Sequence, residues 1–124
     1  MNRVLQVLVT LSGLLFLGIG LRWLIDPASA AAQLGMPLLD GVGRSTQVGD
    51  MMGFFITLGS SILIALVTAK RTWYYPGIML LGVAAVGRLL AWSMHDAALA
   101  VDMIAAEAVI ASLLFFASRK LADS

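Results

Sequence analysis

Four apolar segments, each about as long as a bilayer-spanning helix, take up most of this 124-residue chain. They cover residues 4–25, 51–69, 75–94 and 97–117. A helix rises about 1.5 Å per residue, so roughly 20 residues cross a hydrocarbon core of about 30 Å. Because little chain remains between the segments, we predict one all-α integral membrane domain over residues 1–124. Its expected architecture is an antiparallel bundle of four transmembrane helices.

The composition of the chain is that of a protein in lipid rather than in water. Hydrophobic residues make up 60% of the chain and charged residues 12%, and the mean hydropathy is +0.96. Soluble domains average roughly 45–50% hydrophobic residues and about 25% charged residues. The net charge of +1, without a clustered basic face, argues against a nucleic-acid partner. The chain has no cysteine, which excludes disulfides, thiol redox chemistry and cysteine-ligated metals.

The first apolar segment differs from a cleaved secretory signal. Ala28-Ser29-Ala30 resembles a small-residue cleavage site. The apolar run before it, however, is longer than the roughly 7 to 15 apolar residues that are usual in secretory signals. Arg22 and Asp26 also lie between the run and the site. We therefore expect this segment to be retained as a membrane helix.

The cations of the chain predict its orientation. Arg3, Lys70-Arg71 and Arg119-Lys120 lie at the N-terminus, in the middle loop and at the C-terminus, which a four-span topology places on one side. By the positive-inside rule this side is cytoplasmic. We therefore expect a multi-pass protein of a bacterial-type inner membrane with both termini in the cytoplasm. The loop at 26–50 and the turn around His95 then face outward.

A short helix is predicted within the first outer loop. Asp26 is a good N-cap residue, Pro27 suits the first helical position, and Gly35 is a natural helix end. These signals predict a helix over residues 27–34, lying along the outer interface between the first two spans. The segment MPLLDGVGRST is then expected to turn the chain into the second span.

Arg88 and Glu107 are charged residues inside apolar segments, where one unpaired charge costs on the order of 2.5–3.5 kcal/mol. By helical rise, Arg88 should lie roughly 10 Å from the outer end of the third span, and Glu107 roughly 15 Å into the fourth, near the midplane. A tight turn around His95 and Asp96 makes these spans neighbours, with an axial offset of about 5 Å between the two side chains. We therefore predict an Arg88–Glu107 ion pair, which the planar arginine fork can make bidentate.

Polar and small residues recur at helical spacing on one face of each segment, and we predict that these faces converge. Small residues in such positions favour close packing of membrane helices. The predicted faces are Gln6, Thr10, Gly13 and Gly20; Asp50, Phe54, Thr57, Ser61, Ile64 and Thr68; Gly77, Leu81, Ala84, Arg88, Ala91 and His95; and Ala100, Met103, Glu107, Ala111 and Ser118.

The predicted site is a polar cluster in the outer half of the bundle, made of Arg22, Asp50, Arg88, His95, Asp102 and Glu107. Two interpretations stay open. The ion pair locks two helices in register, with Asp50 and Asp102 completing a structural network, or the cluster lines a pocket open to the outer side. Such a pocket would bind a small molecule, a quinone head group or a proton. His95, near the interface, is either a loop residue or lipid head-group contact, or a ligand or proton shuttle. The chain has no HExxH, P-loop or GxSxG motif, and we predict no catalytic residue, metal site or cofactor.

Two stretches carry a resemblance to a known family. The layout GLLFLGIGLRWLIDPASAAAQLGMP, followed by a glycine- and alanine-rich second span and GVAAVGRLLAWSMHD, resembles the small four-helix membrane proteins of the DoxX-like superfamily. Within that superfamily it most resembles the DUF4345 family. The resemblance implies a compact antiparallel four-helix bundle. It also implies kinship with membrane subunits associated with quinone-linked sulfur oxidation, thiol maintenance or redox partner assembly, and it transfers no catalytic residue.

Three classes of function follow from the polar cluster and the resemblance. The first is a ligand-binding or redox-accessory membrane subunit that binds a quinone or another small lipophilic molecule. The second is a small proton-coupled transporter, and the third is a membrane enzyme that uses Asp or Glu acid-base chemistry on a lipid-soluble substrate. The expected partners are membrane lipids, a lipophilic ligand, and a second copy of the chain or a membrane partner protein.

Overall fold

The computed structural model describes residues 2–123, which form helices and loops. Five α-helices and one short 3-10 helix make up this part of the chain. They are α1 (Asn2–Ile25), α2 (Pro27–Gln33), α3 (Gly41–Thr68), the 3-10 helix (Arg71–Tyr74), α4 (Tyr75–Met94) and α5 (Val101–Lys120). Four stretches are long and apolar enough to cross a membrane: α1, α3, the 3-10 helix together with α4, and α5.

Helix α3 begins at Gly41, ten residues before the second apolar segment. Polar residues at 41–50 interrupt the hydropathy there, so the sequence pattern misses this first part of the helix. Two local contacts of Arg44 lie at the start of the helix. The Arg44 Nε donates to the Leu39 carbonyl at 2.8 Å, and the Arg44 guanidinium pairs with the Asp40 carboxylate at 3.3 Å. Most of the segment expected to be a turn is therefore helical.

Helix α5 begins at Val101, four residues after the start of the fourth apolar segment. Residues 95–100 form an irregular connection rather than a tight turn. The His95 N–H bonds to the Ala91 carbonyl at 2.9 Å and ends α4. Asp96 follows in the left-handed region, with a φ of 55°.

The helices are arranged as two closely packed pairs. Helix α1 packs mainly against α3, and α4 packs mainly against α5, while contacts of α3 with α4 and of α1 with α5 are sparser. Glycine permits the closest approach: a Cβ added to Gly59 would lie 2.6 Å from the Gly13 carbonyl oxygen and 2.8 Å from the Leu17 backbone nitrogen. The core between the pairs is apolar, and its buried members are Leu5, Val9, Phe16, Leu58, Ile62, Ala65, Tyr74, Leu81, Leu114 and Ala117.

The polar face predicted for the second span is wrong. Of its six residues only Ser61 is buried, and Asp50, Phe54, Thr57, Ile64 and Thr68 are exposed. The hydroxyls need no hydrogen-bond partner on another helix, because Ser61 and Thr68 donate to carbonyls of their own helix at 2.7 Å. The buried face of α3 is instead made of Gln47, Leu58, Gly59, Ser61, Ile62 and Ala65.

Candidate functional site

The Arg88–Glu107 ion pair expected from the sequence is present between α4 and α5. The Arg88 Nε donates to the Glu107 Oε1 at 2.9 Å, and the two side chains are 33% and 15% exposed. Arg88 lies six residues before the end of α4, and Glu107 lies six residues after the start of α5. Both are therefore about 9 Å from the helix ends that residues 95–100 connect. The late start of α5 removes the expected offset and places Glu107 at a shallower depth than the sequence predicts.

The other four members of the predicted cluster do not join this pair. Arg22, Asp50, His95 and Asp102 are exposed, and within residues 2–123 none of them makes a side-chain hydrogen bond or ion pair with another side chain. The structure therefore does not bring the six residues together as one buried cluster, and three of the four exposed residues lie at helix ends. Arg22 is in the last turn of α1, His95 follows α4, and Asp102 is in the first turn of α5. A carboxylate in a first helical turn is favoured by the helix dipole without any partner.

A cavity of about 380 Å³ lies beside the ion pair, between α3 and α4. Its volume falls in the range of roughly 300–1,000 Å³ that is typical of small-molecule sites. Arg88 and Glu107 provide its charged groups, and the remaining walls are apolar. The lining residues are Leu34, Met36, Met51, Phe54, Phe55, Leu58, Leu80, Leu81, Ala84, Arg88 and Glu107.

A smaller cavity of about 160 Å³ lies on the α1 and α5 side of the same pair. It is lined by Phe16 and Ile19 of α1 and by Met103 and Ile110 of α5, among others. Its lining shares Leu34, Phe55, Leu81, Arg88 and Glu107 with the larger cavity. The ion pair therefore borders open space on two sides rather than a filled core.

The ion pair has unused hydrogen-bonding groups. Within residues 2–123, the Arg88 side chain donates only to Glu107, so its terminal N–H groups can bind an acceptor in the cavity. The carboxylate of Glu107 keeps acceptor positions for a hydroxyl. The pair carries no net charge, which suits an uncharged polar group. Among the described residues, no three His, Cys, Asp or Glu side chains lie together in a way that could hold a metal ion.

The segment after α2 forms one wall of the larger cavity, and Gln47 holds it in place. The buried Gln47 accepts from the Leu39 N–H at 2.8 Å and donates to the Pro37 carbonyl at 3.1 Å. These bonds fix the stretch that places Leu34 and Met36 in the cavity wall. Sequence reasoning misses Gln47 because the apolar pattern of the second span begins only at residue 51. The available signal is a lone amide three residues after Arg44, at a position that a helix beginning at Gly41 turns inward.

Helix α2 covers the end of α1. Asp26 caps α2, with its carboxylate accepting from the Ser29 N–H at 3.4 Å. Hydrogen bonding by the Ser29 side chain, and then by its backbone N–H, lowers the pKa of Asp26 below its usual 3.8. Trp23 is fully buried beneath Ala30 and Ala31, and its indole N–H has no hydrogen-bond partner in the described part of the chain. Four residues of the larger cavity wall pack against this layer: Leu34, Met36, Met51 and Phe55.

Comparison of the chain with family models, curated proteins and solved structures found no match. The resemblance to the DoxX-like superfamily therefore depends on the quoted sequence stretches alone.

Proposed function

We propose that this protein is a membrane protein that binds a lipophilic molecule with a small, uncharged polar head, such as a quinone, in the cavity beside Arg88 and Glu107. The observation that carries this proposal is an apolar cavity of about 380 Å³ whose charged wall is one ion pair with unused donors and acceptors. An ion pair that served only to hold two helices in register would not need open space on both sides.

The chemistry of the pair favours an uncharged head over an ion. A charged head would leave a net charge in a low-dielectric site, where an uncompensated charge is costly. A carbonyl oxygen can accept from the terminal N–H groups of Arg88, and a hydroxyl can donate to Glu107. The aromatic rings of Phe54 and Phe55 form part of the cavity wall and suit a flat ring. A quinone and its quinol offer the carbonyl and the hydroxyl in turn.

The proposal includes a bundle of four antiparallel transmembrane helices. In each packed pair, residue numbers fall along one helix as they rise along its partner, which supports this arrangement. The contacts that support it are Gly13 with Leu63, Gly20 with Ile56, Gly77 with Leu114 and Arg88 with Glu107. Helix α2 would then lie at the outer interface, and the cations at both chain ends and at 70–71 would face the cytoplasm of a bacterial-type inner membrane.

Binding of decylubiquinone to the protein in lipid nanodiscs tests the proposal. We expect saturable binding to the wild type, detected as a mass adduct by native mass spectrometry. Replacement of the pair by Arg88→Leu together with Glu107→Leu keeps the site uncharged, and it should weaken binding at least about tenfold.

The matched control is Arg22→Gln, which removes an exposed arginine outside the cavity. This variant should bind decylubiquinone as the wild type does. Equal binding by the wild type and the double variant would favour the purely structural interpretation of the ion pair.

A further inference from the structure

We infer that the bound molecule carries a hydrocarbon chain and that this chain lies in a lipid-facing groove between α3 and α4. This inference depends on the proposed function, because the polar head is assigned to the cavity at Arg88. It adds the chemical class of the ligand, a single-headed amphiphile, and the side from which the ligand enters.

The groove adjoins the cavity through shared walls. It has a volume of about 670 Å³ and is lined only by apolar residues: Phe54, Pro76, Met79, Leu80, Val83 and Ala84. Phe54, Leu80 and Ala84 also line the cavity at the ion pair. Met79 and Val83 are 66% and 70% exposed, so the groove is open on the outside of the bundle. These walls form a continuous apolar route from the ion pair to the surrounding lipid.

The groove follows from the way the helices pair. Helices α3 and α4 belong to different packed pairs and make few contacts with each other. The small side chain of Ala84 leaves space between α3 and α4 at one end of the groove. Pro76, near the start of α4, lies at the other end. From Arg88 to Pro76 the axial distance along α4 is roughly 18 Å. A hydrocarbon chain of that reach would lie along α4 within the membrane.

A hydrocarbon chain fits this groove better than a helix of another protein does. Membrane helices associate through small residues and interhelical hydrogen bonds. The groove offers exposed Met79 and Val83, and every lining side chain is apolar. Its continuity with a cavity that contains unused polar groups is what an amphiphile with one head and one chain requires.

The test compares two ligands with the same head in nanodiscs of fixed lipid composition, using isothermal titration calorimetry. The probes are the chainless dimethoxy-methyl-benzoquinone and decylubiquinone. Val83→Trp should fill the groove, and we expect it to weaken decylubiquinone binding at least about tenfold. Binding of the chainless probe should stay unchanged, which also reports that the variant is folded.

Val86→Trp is the matched control, because Val86 is on the same helix, is 55% exposed, and is outside the groove lining. It should leave the binding of both probes unchanged. The fixed lipid composition keeps the partition of the decyl chain into lipid the same for every variant.

Three results would overturn the inference and leave the proposed function intact. In the first, Val83→Trp does not change the ratio of the two affinities. In the second, Val86→Trp changes this ratio equally. In the third, Val83→Trp splits an oligomer of the wild type, as measured by light scattering, which assigns the groove to a second copy of the chain. If the wild type binds neither probe, both the inference and the proposed function are wrong.

Discussion

At the scale of single residues, the Arg88–Glu107 pair is the point where the chain departs most from an apolar bundle. Glu107 is 15% exposed, so removal of its carboxylate would leave a guanidinium in an apolar cavity without a counter-charge. Removal of both groups would leave no charge. The two kinds of variant should therefore differ in the size of their effect on stability.

We predict that Glu107→Ala destabilises the protein by about 1–3 kcal/mol, because it leaves the charged donor of Arg88 unsatisfied. Arg88→Leu together with Glu107→Leu should cost less than the single change. The measurement is the free energy of unfolding in mixed detergent micelles. Asp50→Ala, at an exposed carboxylate without a partner within residues 2–123, is the control and should change stability by less than about 0.5 kcal/mol. A double variant less stable than Glu107→Ala would contradict the prediction.

We predict that Asp26 makes stability depend on pH only in the acid range. Its folded-state pKa lies below 3.8, so its contribution is present above that pH and is lost as pH falls through the folded pKa. Asp26→Asn keeps a capping side chain but does not titrate. The small difference in melting temperature between the wild type and Asp26→Asn should therefore vanish in acid. A difference that grows as the pH falls below 3.8 would show that the sign is wrong.

The ion pair could be predicted from the sequence because the cost of an unpaired charge in lipid leaves few other arrangements. That reasoning does not extend to Arg22, His95 or Asp102. These residues lie at helix ends, where water, head groups or the helix dipole can satisfy a charge. Their positions depend on helix boundaries, which an apolar pattern does not define to within one turn.

At the scale of elements, α3 is the helix that most affects the site. Its 28 residues extend about 42 Å, which exceeds a hydrocarbon core of about 30 Å. The excess lies at its N-terminal end, where residues 41–50 carry Gln47 beside the segment that follows α2. This extension of α3 therefore holds one wall of the cavity.

We predict that Gln47→Leu loosens this wall. It removes the hydrogen bonds to Leu39 and Pro37, at a cost of about 0.5–1.5 kcal/mol for each bond. Hydrogen exchange at the Leu39 amide should become faster, and decylubiquinone binding should weaken. The control is Gln33→Leu, at an exposed glutamine of α2. Unchanged protection of Leu39 in the Gln47 variant would exclude this role.

We predict that Gly59→Ala separates α1 from α3. The new methyl group would meet backbone atoms of Gly13 and Leu17, and such overpacking typically costs about 1–3 kcal/mol. Gly49→Ala on the same helix has no neighbouring atom within 4 Å and should stabilise the protein by about 0.5–1 kcal/mol. The free energies of unfolding of the two variants should thus change in opposite directions. A stabilising Gly59→Ala would mean that the helix pair is less closely packed than described.

The sequence predicts the elements unevenly, for physical reasons. Helix α4 matches its apolar segment because Tyr75 and Met94 bound a run with little polar interruption. Helix α2 follows from its Asp26-Pro27 start. The start of α3 is hidden because residues 41–50 are polar although helical. The cavity could not be predicted, since it depends on how loosely α3 and α4 pack.

At the scale of the whole molecule, the chain consists of two helix pairs joined at Lys70 and Arg71. Each pair is closely packed within itself. Two contacts hold the junction: the Arg71 Nε donates to the Ser118 carbonyl at 2.9 Å, and the Asp123 N–H donates to the Ala69 carbonyl at 2.8 Å. The cavity lies between the pairs, near the end opposite this junction.

We predict that the junction faces the cytoplasm. The chain has no cysteine, so a single introduced thiol reports its own location. Exposed Ala98→Cys should react with a membrane-impermeant maleimide in intact cells, and exposed Thr72→Cys should react only after permeabilisation. The reverse pattern would invert the orientation, and labelling of both from outside would exclude the four-span topology.

The loose contact between the two helix pairs has a consequence for reconstitution. A chain divided at Lys70 would give two fragments, each with its own close helix contact and each contributing walls to the cavity. Coexpressed as separate polypeptides and without a ligand, the two fragments would associate only weakly. A ligand bound between the two fragments would stabilise their association, so the yield of the reassembled protein would rise with the concentration of the ligand.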